Sequence, residues 1–555
     1  MRYHRQGEHP TGMLILGVLF SWFAWKTFDL LETEWALMPL MFMFSAGLLF
    51  AHLGALILRS IPRIFFYIKA MKTTGKAGTA GWASPKEIQQ AGLFKTFGLL
   101  SGARKKPRGF LAGLHNNKPV FVDIESSGLV LSPAGGGKTT GFVIPTLCHN
   151  STSMLVPDLK GTLAVMTGKY RRKKFQHETL FVNPAGINAH ILGVGARYNP
   201  LQILIDTWVD PKLHNQVLSE AEGLAKQFCQ DPKTQGENQY WRNGARKFLI
   251  FAFVYLMTME GNATLSNALS LLSDSERLHA ALREAVQSTH LHGDLARLAR
   301  DMIGKIENGD PKQVESFREG AVQSVEVFSA SGVLAECTSV CDFRFSDMKH
   351  KKITIYLIAD PTRMSVYAPW LAVLSWCALR ELMRTTGPNR VCFLCDEITN
   401  FKVDNLPSML TLAREYQITM WLIIQELEQW AYVYGRESLE TLLSQTEVKI
   451  IMNIRSFKTC QLISNMLGDQ SIKSKNYNIG EYFFNPVSTS VHETPRKLMT
   501  PDEVRRTDKI ILFSGGLRPV LLDKISYHEI SPWKKQLEVN PLYGKAYKGK
   551  TKLRL

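Results

Sequence analysis

The sequence Gly128-Leu-Val-Leu-Ser-Pro-Ala-Gly-Gly-Gly-Lys-Thr-Thr140 joins a short apolar run to a glycine-rich turn that ends in lysine and threonine. The apolar run predicts a buried strand, and the residues after Thr139 predict a helix. Between a strand and a helix, glycines let successive backbone N–H groups point inward around phosphate groups. This stretch therefore predicts a phosphate-binding loop, or P-loop, on an α/β fold.

The side chains of the P-loop have predicted roles in binding ATP and Mg²⁺. Lys138 is expected to reach the β- and γ-phosphates, and Thr139 to hold Mg²⁺. Ser132 departs from the usual pattern, because it stands where the first glycine is expected. A simple glycine-rich turn is the alternative, but the flanking strand and helix favour a nucleotide. The predicted nucleotide contacts are Pro133, Ala134, Gly135, Gly136, Gly137, Lys138, Thr139 and Thr140.

Two carboxylates follow another apolar run, residues 391–395. If this run is a strand, it delivers Asp396 and Glu397 to the carboxyl edge of the sheet, where ligands bind in open α/β folds. Asp396 is suited to hold Mg²⁺, and Glu397 to polarise the attacking water. A solvated loop is the alternative for an isolated acidic pair. Together with Lys138, the pair indicates a second part of one site.

Two further polar residues lie near the apolar run 420–424. Gln425 follows it directly and is predicted to sense the γ-phosphate or to position water. Arg414 lies eleven residues before Gln425. An arginine at a subunit edge can complete a neighbour's site by stabilising transition-state charge. For each residue, a structural role is the alternative.

Short apolar runs of this kind recur along the chain and predict strands buried on both faces of a mostly parallel sheet. They disappear between residues 209 and 331, where helix-start signals at Ser273 and Asp310 predict an all-helical insertion. Within it, the apolar residues 248–257 are too few to cross a bilayer and predict a buried helix. The strand-like runs are 121–124, 128–132, 153–157, 179–183, 353–358, 391–395, 420–424, 448–452 and 509–513.

Composition sets the scale of the molecule and the charge of its partners. A chain of 555 residues is long enough for two or three domains. Its formal net charge of +17 favours negative partners, namely nucleic acid, anionic lipid or acidic protein surfaces. The eight cysteines show no metal-ligand spacing and are predicted to be reduced, mostly buried and cytoplasmic.

Two apolar segments open the chain. Residues 36–58 are long enough to cross a membrane, and residues 13–31 are long enough if Lys26 and Asp29 reach the interface. Basic residues outside both segments predict a hairpin with its two ends in the cytoplasm. A signal peptide is the alternative, but no small-residue cleavage site follows Trp25. The basic residues 61–115 then predict a connector that lies against anionic head groups, or a solvated linker.

The order of these features resembles the type IV secretion system coupling proteins, the TraG-like and VirD-type membrane ATPases. The resemblance implies a RecA-like nucleotide-binding domain with a membrane-distal all-alpha domain, assembled as a homo-hexamer at the mouth of the secretion channel. Lys138, Thr139, Asp396, Glu397 and Gln425 would serve one site, with Arg414 reaching across from the adjacent subunit. Asp158 and Lys160 would lie near that site in a salt-bridged turn. The local matches are Gly78-Thr-Ala-Gly-Trp82, Ile144-Pro-Thr-Leu147, Pro157-Asp-Leu-Lys-Gly161, Phe181-Val-Asn-Pro184, Arg197-Tyr-Asn-Pro-Leu201, Tyr434-Gly435, Leu498-Met-Thr-Pro-Asp-Glu-Val504 and Asp523-Lys-Ile525.

The predicted organisation places an ATPase in the cytoplasm, anchored to the bacterial inner membrane by two spans. It consists of a transmembrane hairpin (1–60), a basic connector (61–115), a nucleotide-binding domain in two parts (116–208 and 332–533), an all-alpha domain (209–331) and a basic tail (534–555).

The predicted function is to recruit substrates and pass them to components of the type IV secretion channel, using ATP and Mg²⁺. The substrates are secreted proteins, relaxase-bound single-stranded DNA, or both; the short basic tail lacks an acidic docking segment, which weakens a role in conjugation. One alternative is a receptor or scaffold in which nucleotide is an assembly switch. Another is a DNA translocase outside type IV secretion.

Overall fold

The computed structural model describes residues 22, 25–26, 45–49, 52–54, 77–94, 109–231, 237–478, 488–544 and 549–555. The two predicted spans, 13–31 and 36–58, lie mostly outside these residues. In the part of the chain that the structure describes, no single helix combines the length and apolarity needed to cross a membrane. One pair, Gln239–Glu260 with Leu265–Ser273, has the length and composition but is bent by 109°. The hairpin and the domain boundaries stay predictions.

The chain divides into two compact units. One consists of Met1–Thr79 with Asp469–Arg496, and the other of Ala80–Gly468 with Lys497–Leu555. The described strands are β1 (Phe110–His115), β2 (Lys118–Val122), β3 (Ser127–Leu131), β4 (Ser153–Asp158), β5 (Glu178–Val182), β6 (Ile353–Ile358), β7 (Val391–Asp396), β8 (Ile418–Ile424), β9 (Thr446–Met452), β10 (Asp469–Asn478), β11 (Ser488–Lys497), β12 (Ile510–Ser514), β13 (Val520–Leu522), β14 (Ile530–Ser531) and β15 (Leu553–Arg554).

In the smaller unit, the start of β10 is hydrogen-bonded to Ala77 and Gly78, which lie within the predicted connector. The Ser471 backbone N–H donates to the Gly78 carbonyl at 3.1 Å, and the Ala77 N–H donates to Ser471 Oγ at 3.0 Å. β10 pairs with β11 in a two-stranded sheet. Both the backbone and the hydroxyl of Ser471 therefore make this connection.

A nine-stranded sheet of order β13-β12-β9-β3-β8-β7-β4-β6-β5 organises the larger unit. Its neighbouring strands are parallel, except that β12 runs antiparallel to both β9 and β13. β3, β4, β6 and β8 are buried along their whole length, as strands covered on both faces must be. The predicted mostly parallel sheet is confirmed.

One predicted strand lies outside this sheet. The apolar run 121–124 overlaps β2, which forms a separate antiparallel hairpin with β1. The turn of this hairpin, Asn116 and Asn117, has φ angles of 49° and 61°, a conformation that asparagine tolerates in hairpin turns. A short apolar run is compatible with either setting, because its pattern does not record which strand it pairs with.

Alternate residues of the central strands enter two different hydrophobic cores. Leu129 and Leu131 of β3 pack with the long helices between β5 and β7, whereas Val130 packs with the β1–β2 hairpin and the helix after the P-loop. Each face of the sheet is therefore covered. The described α-helices are Pro85–Gln90, Ile144–His149, Thr162–Phe175, Ala189–Leu192, Gln202–Val209, Val217–Phe228, Glu237–Tyr255, Leu265–Ser273, Ser275–Ala285, Asp294–Asn308, Pro311–Val325, Met364–Arg384, Leu406–Leu412, Leu427–Tyr434, Ser438–Gln445, Phe457–Leu467, Pro501–Arg506 and Trp533–Gln536.

Between β5 and β6, the described residues form helices and turns. Residues 248–257 are all buried, most of them in Glu237–Tyr255, which confirms the predicted buried helix. Asp310 begins Pro311–Val325 as predicted, by accepting from the Lys312 N–H at 3.0 Å. The other predicted start is displaced by one residue, because Asp274 rather than Ser273 accepts from the Arg277 N–H and begins Ser275–Ala285. Asp is as good an N-cap as Ser.

The guanidinium of Arg171 is fully buried and ties helix Thr162–Phe175 to the sheet. We expect Arg171→Met to lower the free energy of unfolding by about 3 kcal/mol, because several buried acceptors lose their donor. Its neighbour Arg172 is exposed, and Arg172→Met should cost less than about 1 kcal/mol in urea unfolding followed by tryptophan fluorescence. Equal losses would contradict the prediction. The acceptors of Arg171 are Thr354 Oγ1 (2.7 Å) and the carbonyls of Leu147 (2.6 Å), Asn150 (2.8 Å) and Thr152 (2.7 Å).

Candidate nucleotide-binding site

The carboxyl ends of three adjacent strands, β3, β8 and β7, bring the predicted site residues together. The Ser132 N–H donates to the Ile424 carbonyl at 3.0 Å, so the P-loop begins beside the end of β8. The Glu397 N–H donates to the Ile423 carbonyl at 3.1 Å, so the acidic pair leaves β7 at the same level. Gln425 follows β8 directly. Parallel strands in register thus collect at one edge residues that are up to 293 positions apart in the sequence.

The glycines of the P-loop allow a turn that other residues would obstruct. Gly135 and Gly137 have φ angles of +75° and +94°, in the left-handed region. A Cβ on Gly136 would lie 2.2 Å from Ser132 Oγ. Ser132, in the place of the expected first glycine, is therefore accommodated because Gly136 has no side chain. Ser132 is fully buried, so its hydroxyl lies beneath the loop.

The ammonium of Lys138 is held between the two carboxylates that follow β7. Lys138 Nζ lies 3.0 Å from Glu397 Oε1 and 3.7 Å from Asp396 Oδ1, and the residue is 6% exposed. Gln425 Nε2 donates to the same Glu397 oxygen at 3.1 Å. Lys138, Asp396, Glu397 and Gln425 therefore form one cluster, as the strand order requires.

Both the backbone and the carboxylate of Glu397 are held in place. Its φ angle is +58°, which turns the chain sharply at the end of β7. Its Oε2 accepts from Asn400 Nδ2 at 3.0 Å. Burial opposes ionisation of the carboxyl, but Lys138 outweighs it and, with Gln425, lowers the pKa below its usual value. Glu397 is therefore ionised at neutral pH, as a group that polarises water must be.

Asp396 has the environment of a metal ligand. Burial raises the pKa of its carboxyl to about 6, and Glu397 adds to this rise while Lys138 opposes it. Asp396 Oδ1 is buried and accepts no hydrogen bond from the described residues. A buried carboxylate oxygen without a hydrogen-bond donor among the described residues fits Mg²⁺, which prefers hard oxygen ligands.

Asn400 is a site residue that the sequence patterns do not predict. It lies three positions after Glu397, in the short 3-10 turn Ile398–Asn400, and its amide contacts the carboxylate directly. An amide shortly after an acidic pair is common in loops, so its position carried no recognisable signal.

Arg414 lies at the opposite edge of the sheet from this cluster. It precedes the first residue of β8, whereas Gln425 follows the last, and seven strand residues span about 20 Å. Its side chain is 67% exposed and lies 4.0 Å from Glu125, before β3. Within one chain the structure does not bring Arg414 to Lys138, and any role across a subunit boundary stays a prediction.

Asp158, at the end of β4, is a buried neighbour of the site. Its carboxylate accepts from the backbone N–H groups of Ala164 at 2.8 Å and Lys160 at 3.3 Å. It therefore caps the first turn of helix Thr162–Phe175, in place of the predicted ion pair with Lys160. Burial raises the pKa of Asp158 to about 6 despite these hydrogen bonds.

Residues 81–550 match the family described as "Type IV secretory system Conjugative DNA transfer". The chain belongs to this family. The predicted resemblance to type IV secretion coupling proteins is thus confirmed, and with it the assignment of the chain as a coupling ATPase.

Curated relatives of this coupling protein extend the match along most of the chain. Protein VirD4 of Rhizobium radiobacter is 24% identical over 535 residues, which covers 94% of this chain and 74% of the relative. Conjugal transfer protein TraG of Escherichia coli is 24% identical over 469 residues, covering 77% and 70%.

Solved structures of the plasmid coupling protein TrwB have the same fold. The complex of TrwB with ADP and Mg²⁺ superposes with a TM-score of 0.58 at 12% identity, covering 82% of this coupling protein and 96% of TrwB. The complex with the ATP analogue ADPNP gives a TM-score of 0.55 at 13% identity. The predicted RecA-like α/β architecture is therefore confirmed.

Proposed function

We propose that this coupling protein hydrolyses ATP with Mg²⁺ at the Lys138 cluster, and uses the free energy to move relaxase-bound single-stranded DNA into the secretion channel. The main support is the position of Lys138 at the end of the glycine-rich turn. Its buried ammonium lies 3.0 Å from Glu397 and 3.7 Å from Asp396. The site thus combines a cation (Lys138), an ionised base (Glu397) and an oxygen suited to a metal ion (Asp396). They meet where the P-loop N–H groups would hold phosphates.

Each side chain of the cluster has a defined task when ATP binds. The Lys138 ammonium moves from the carboxylates to the β- and γ-phosphates, which carry more negative charge. Glu397, held by Gln425 and Asn400, then orients and polarises the attacking water. Thr139 and Asp396 would hold Mg²⁺, which would neutralise part of the charge on the β- and γ-phosphates.

We place the working enzyme in a ring of six copies in which Arg414 of one subunit completes the site of the next. Its exposure of 67%, and its position at the amino edge of the sheet, support this role. A guanidinium there is remote from its own Lys138 cluster and accessible to a second copy. Head-to-tail contacts between opposite edges close into a ring when the rotation per subunit permits it.

Mixed rings test the role of Arg414. Arg414→Ala alone should lower ATP turnover by about 10³-fold. When Arg414→Ala subunits are mixed with inactive Lys138→Ala subunits, turnover should rise above the average of the two separate preparations. The reason is that an intact Lys138 site then receives an intact Arg414 from its neighbour.

The control for mixing is Arg436→Ala, an exposed arginine whose side chain lies 3.4 Å from Glu428. We expect it to retain wild-type turnover alone and to show no gain in mixtures. Turnover of the Arg414→Ala mixture that equals the average of its components would refute the contribution across subunits.

We also propose that residues 1–60 anchor the protein in the inner membrane as a hairpin, with the all-alpha domain, residues 209–331, receiving the cargo. The net charge of +17 and the conjugative family support DNA as this cargo. A photo-crosslinker placed in 209–331 of a Glu397→Gln variant, which holds ATP, would identify the cargo in cells. Recovery of single-stranded DNA with its relaxase is expected, and recovery of secreted proteins alone would refute the DNA assignment.

A receptor whose nucleotide is only an assembly switch makes a different prediction. It requires ATP for ring assembly but no turnover, even with cargo present. Steady-state phosphate release by the full-length protein, measured with and without single-stranded DNA, separates the two functions. Absence of release under both conditions, combined with loss of transfer in Lys138→Ala, would support the receptor.

A further inference from the structure

Lys349 is a buried lysine outside the nucleotide site. It ends the 3-10 turn Phe345–Lys349, shortly before β6, and is 1% exposed. In the described structure its ammonium donates to two backbone carbonyls and not to a carboxylate. The acceptors are the Tyr416 carbonyl and the Gln417 carbonyl, the latter at 3.5 Å. Both carbonyls belong to the turn 413–417, which carries Arg414.

The burial of this ammonium has a cost in free energy. Burial, with a smaller contribution from Arg390, lowers the pKa of Lys349 to about 8. A buried cation without a counter-ion is tolerated only where its hydrogen bonds offset the loss of hydration. Methionine would fill the same space without that cost. The distinctive contribution of Lys349 is therefore its hold on the two carbonyls.

The turn 413–417 needs support from within the molecule, because its outer side is open to solvent. Tyr416 in the turn and Leu412, which ends the preceding helix, are 41% and 44% exposed. Its internal hydrogen bonds run from the Gln417 N–H to the Arg414 carbonyl at 3.0 Å and from the Ile418 N–H to the Ala413 carbonyl at 2.9 Å. These bonds join the turn to β8, and the Ala413 N–H donates to the Met409 carbonyl of helix Leu406–Leu412 at 2.9 Å; none of them reaches β7.

The Lys349 ammonium gives the turn a further attachment, and the backbone of Lys349 is itself held by a hydrogen bond. The Asn389 N–H donates to the Lys349 carbonyl at 3.0 Å, just before β7. The N–H of Val391, the first residue of β7, donates to the Gln417 carbonyl at 3.1 Å. This carbonyl therefore accepts hydrogen bonds from both the Val391 N–H and the Lys349 ammonium. The turn that carries Arg414 is thereby fixed to the strand whose other end carries Asp396 and Glu397.

We propose that Lys349 is a positioning residue that holds the Arg414 turn in the orientation needed to complete the nucleotide site of an adjacent subunit. This inference rests on the proposed role of Arg414 in the neighbouring site. A guanidinium that stabilises transition-state charge must be placed accurately, and a shift of about 1 Å can lower a rate by about 10²-fold.

The test uses Lys349→Met, which keeps the volume and removes the donor. With the full-length protein we expect kcat to fall about 10-fold or more while KM for ATP changes little, because Arg414 acts mainly in the transition state. Lys351→Met is the matched control: Lys351 lies two residues away, is 63% exposed and pairs with Asp347 at 3.8 Å. It should retain wild-type kcat.

Mixing distinguishes positioning from a general loss of structure. Lys349→Met subunits mixed with Lys138→Ala subunits should gain turnover above the average of the two preparations, since their intact Lys138 sites meet an intact Arg414 turn. Lys349→Gln, which keeps a neutral donor, is measured in parallel. The kcat and mixing results are taken from the variant that unfolds at the same midpoint as the wild type, since that variant has kept its structure.

Two failures can be told apart. Suppose first that the Arg414→Ala mixture gains turnover. The role of Lys349 is then overturned if the folded Lys349 variant has wild-type kcat, or if its kcat falls and mixing gives no gain. If the Arg414→Ala mixture gains nothing either, the proposed contribution of Arg414 across subunits fails, and the role of Lys349 falls with it.

Discussion

Lys138→Ala should lower ATP turnover by about 10²–10³-fold or more and abolish DNA transfer. The variant loses the cation that would neutralise the β- and γ-phosphates. It also leaves Asp396 and Glu397 adjacent without the ammonium that now lies 3.7 Å and 3.0 Å from them. The pKa of Glu397, which Lys138 lowers against the effect of burial, should rise. Phosphate release and equilibrium binding of a fluorescent ATP analogue measure the two effects.

Lys169→Ala provides the matched control for this prediction. Lys169 is 60% exposed and lies 2.7 Å from Glu538, on the surface of helix Thr162–Phe175. Exposed ion pairs contribute little to stability, so this variant should unfold and hydrolyse ATP like the wild type. If Lys138→Ala retained more than about a tenth of wild-type turnover, the Lys138 cluster would not be the hydrolytic site.

Glu397→Gln should bind ATP with near wild-type affinity but hydrolyse it about 10²–10⁴-fold more slowly. The amide keeps the shape of the side chain and an oxygen that accepts from Gln425, so the loop geometry is preserved. It cannot polarise water as a carboxylate does. Equilibrium nucleotide binding, compared with single-turnover hydrolysis, separates the two steps.

The control for this second prediction is Glu428→Gln on helix Leu427–Tyr434. Glu428 is 45% exposed and lies 3.4 Å from Arg436 and 3.9 Å from Lys458, so it has cationic partners as Glu397 does. Its substitution should leave turnover unchanged. A loss of less than about 10-fold in Glu397→Gln would mean that another group positions the water.

Much of the site could be predicted because its parts have strong local patterns. The P-loop requires glycines next to Lys138 and a strand before them, and the acidic pair ends an apolar run. Once both runs are strands of one parallel sheet, their carboxyl ends must share an edge. The contact between Lys138 and Glu397, 259 positions apart, follows from topology alone.

Other features had no local pattern. Asn400 contacts Glu397, yet an amide in a loop is unremarkable until its distance is known. The run 121–124 looks like the other strands, but its partner is β1 because the turn at Asn116 and Asn117 forms a hairpin. An apolar pattern records burial and not the identity of the neighbour.

The class of the protein could be predicted from local residues, since the glycines before Lys138 and the acids after residue 395 each require a particular backbone setting. The end of the sheet that each residue occupies is known only from the folded arrangement of the strands. This arrangement places Arg414 at the amino edge, about 20 Å along β8 from Gln425. It also brings the Lys349 ammonium to the carbonyls of Tyr416 and Gln417. The physical reason is that local patterns are set by backbone and phosphate chemistry, whereas contacts between distant segments depend on strand order and packing.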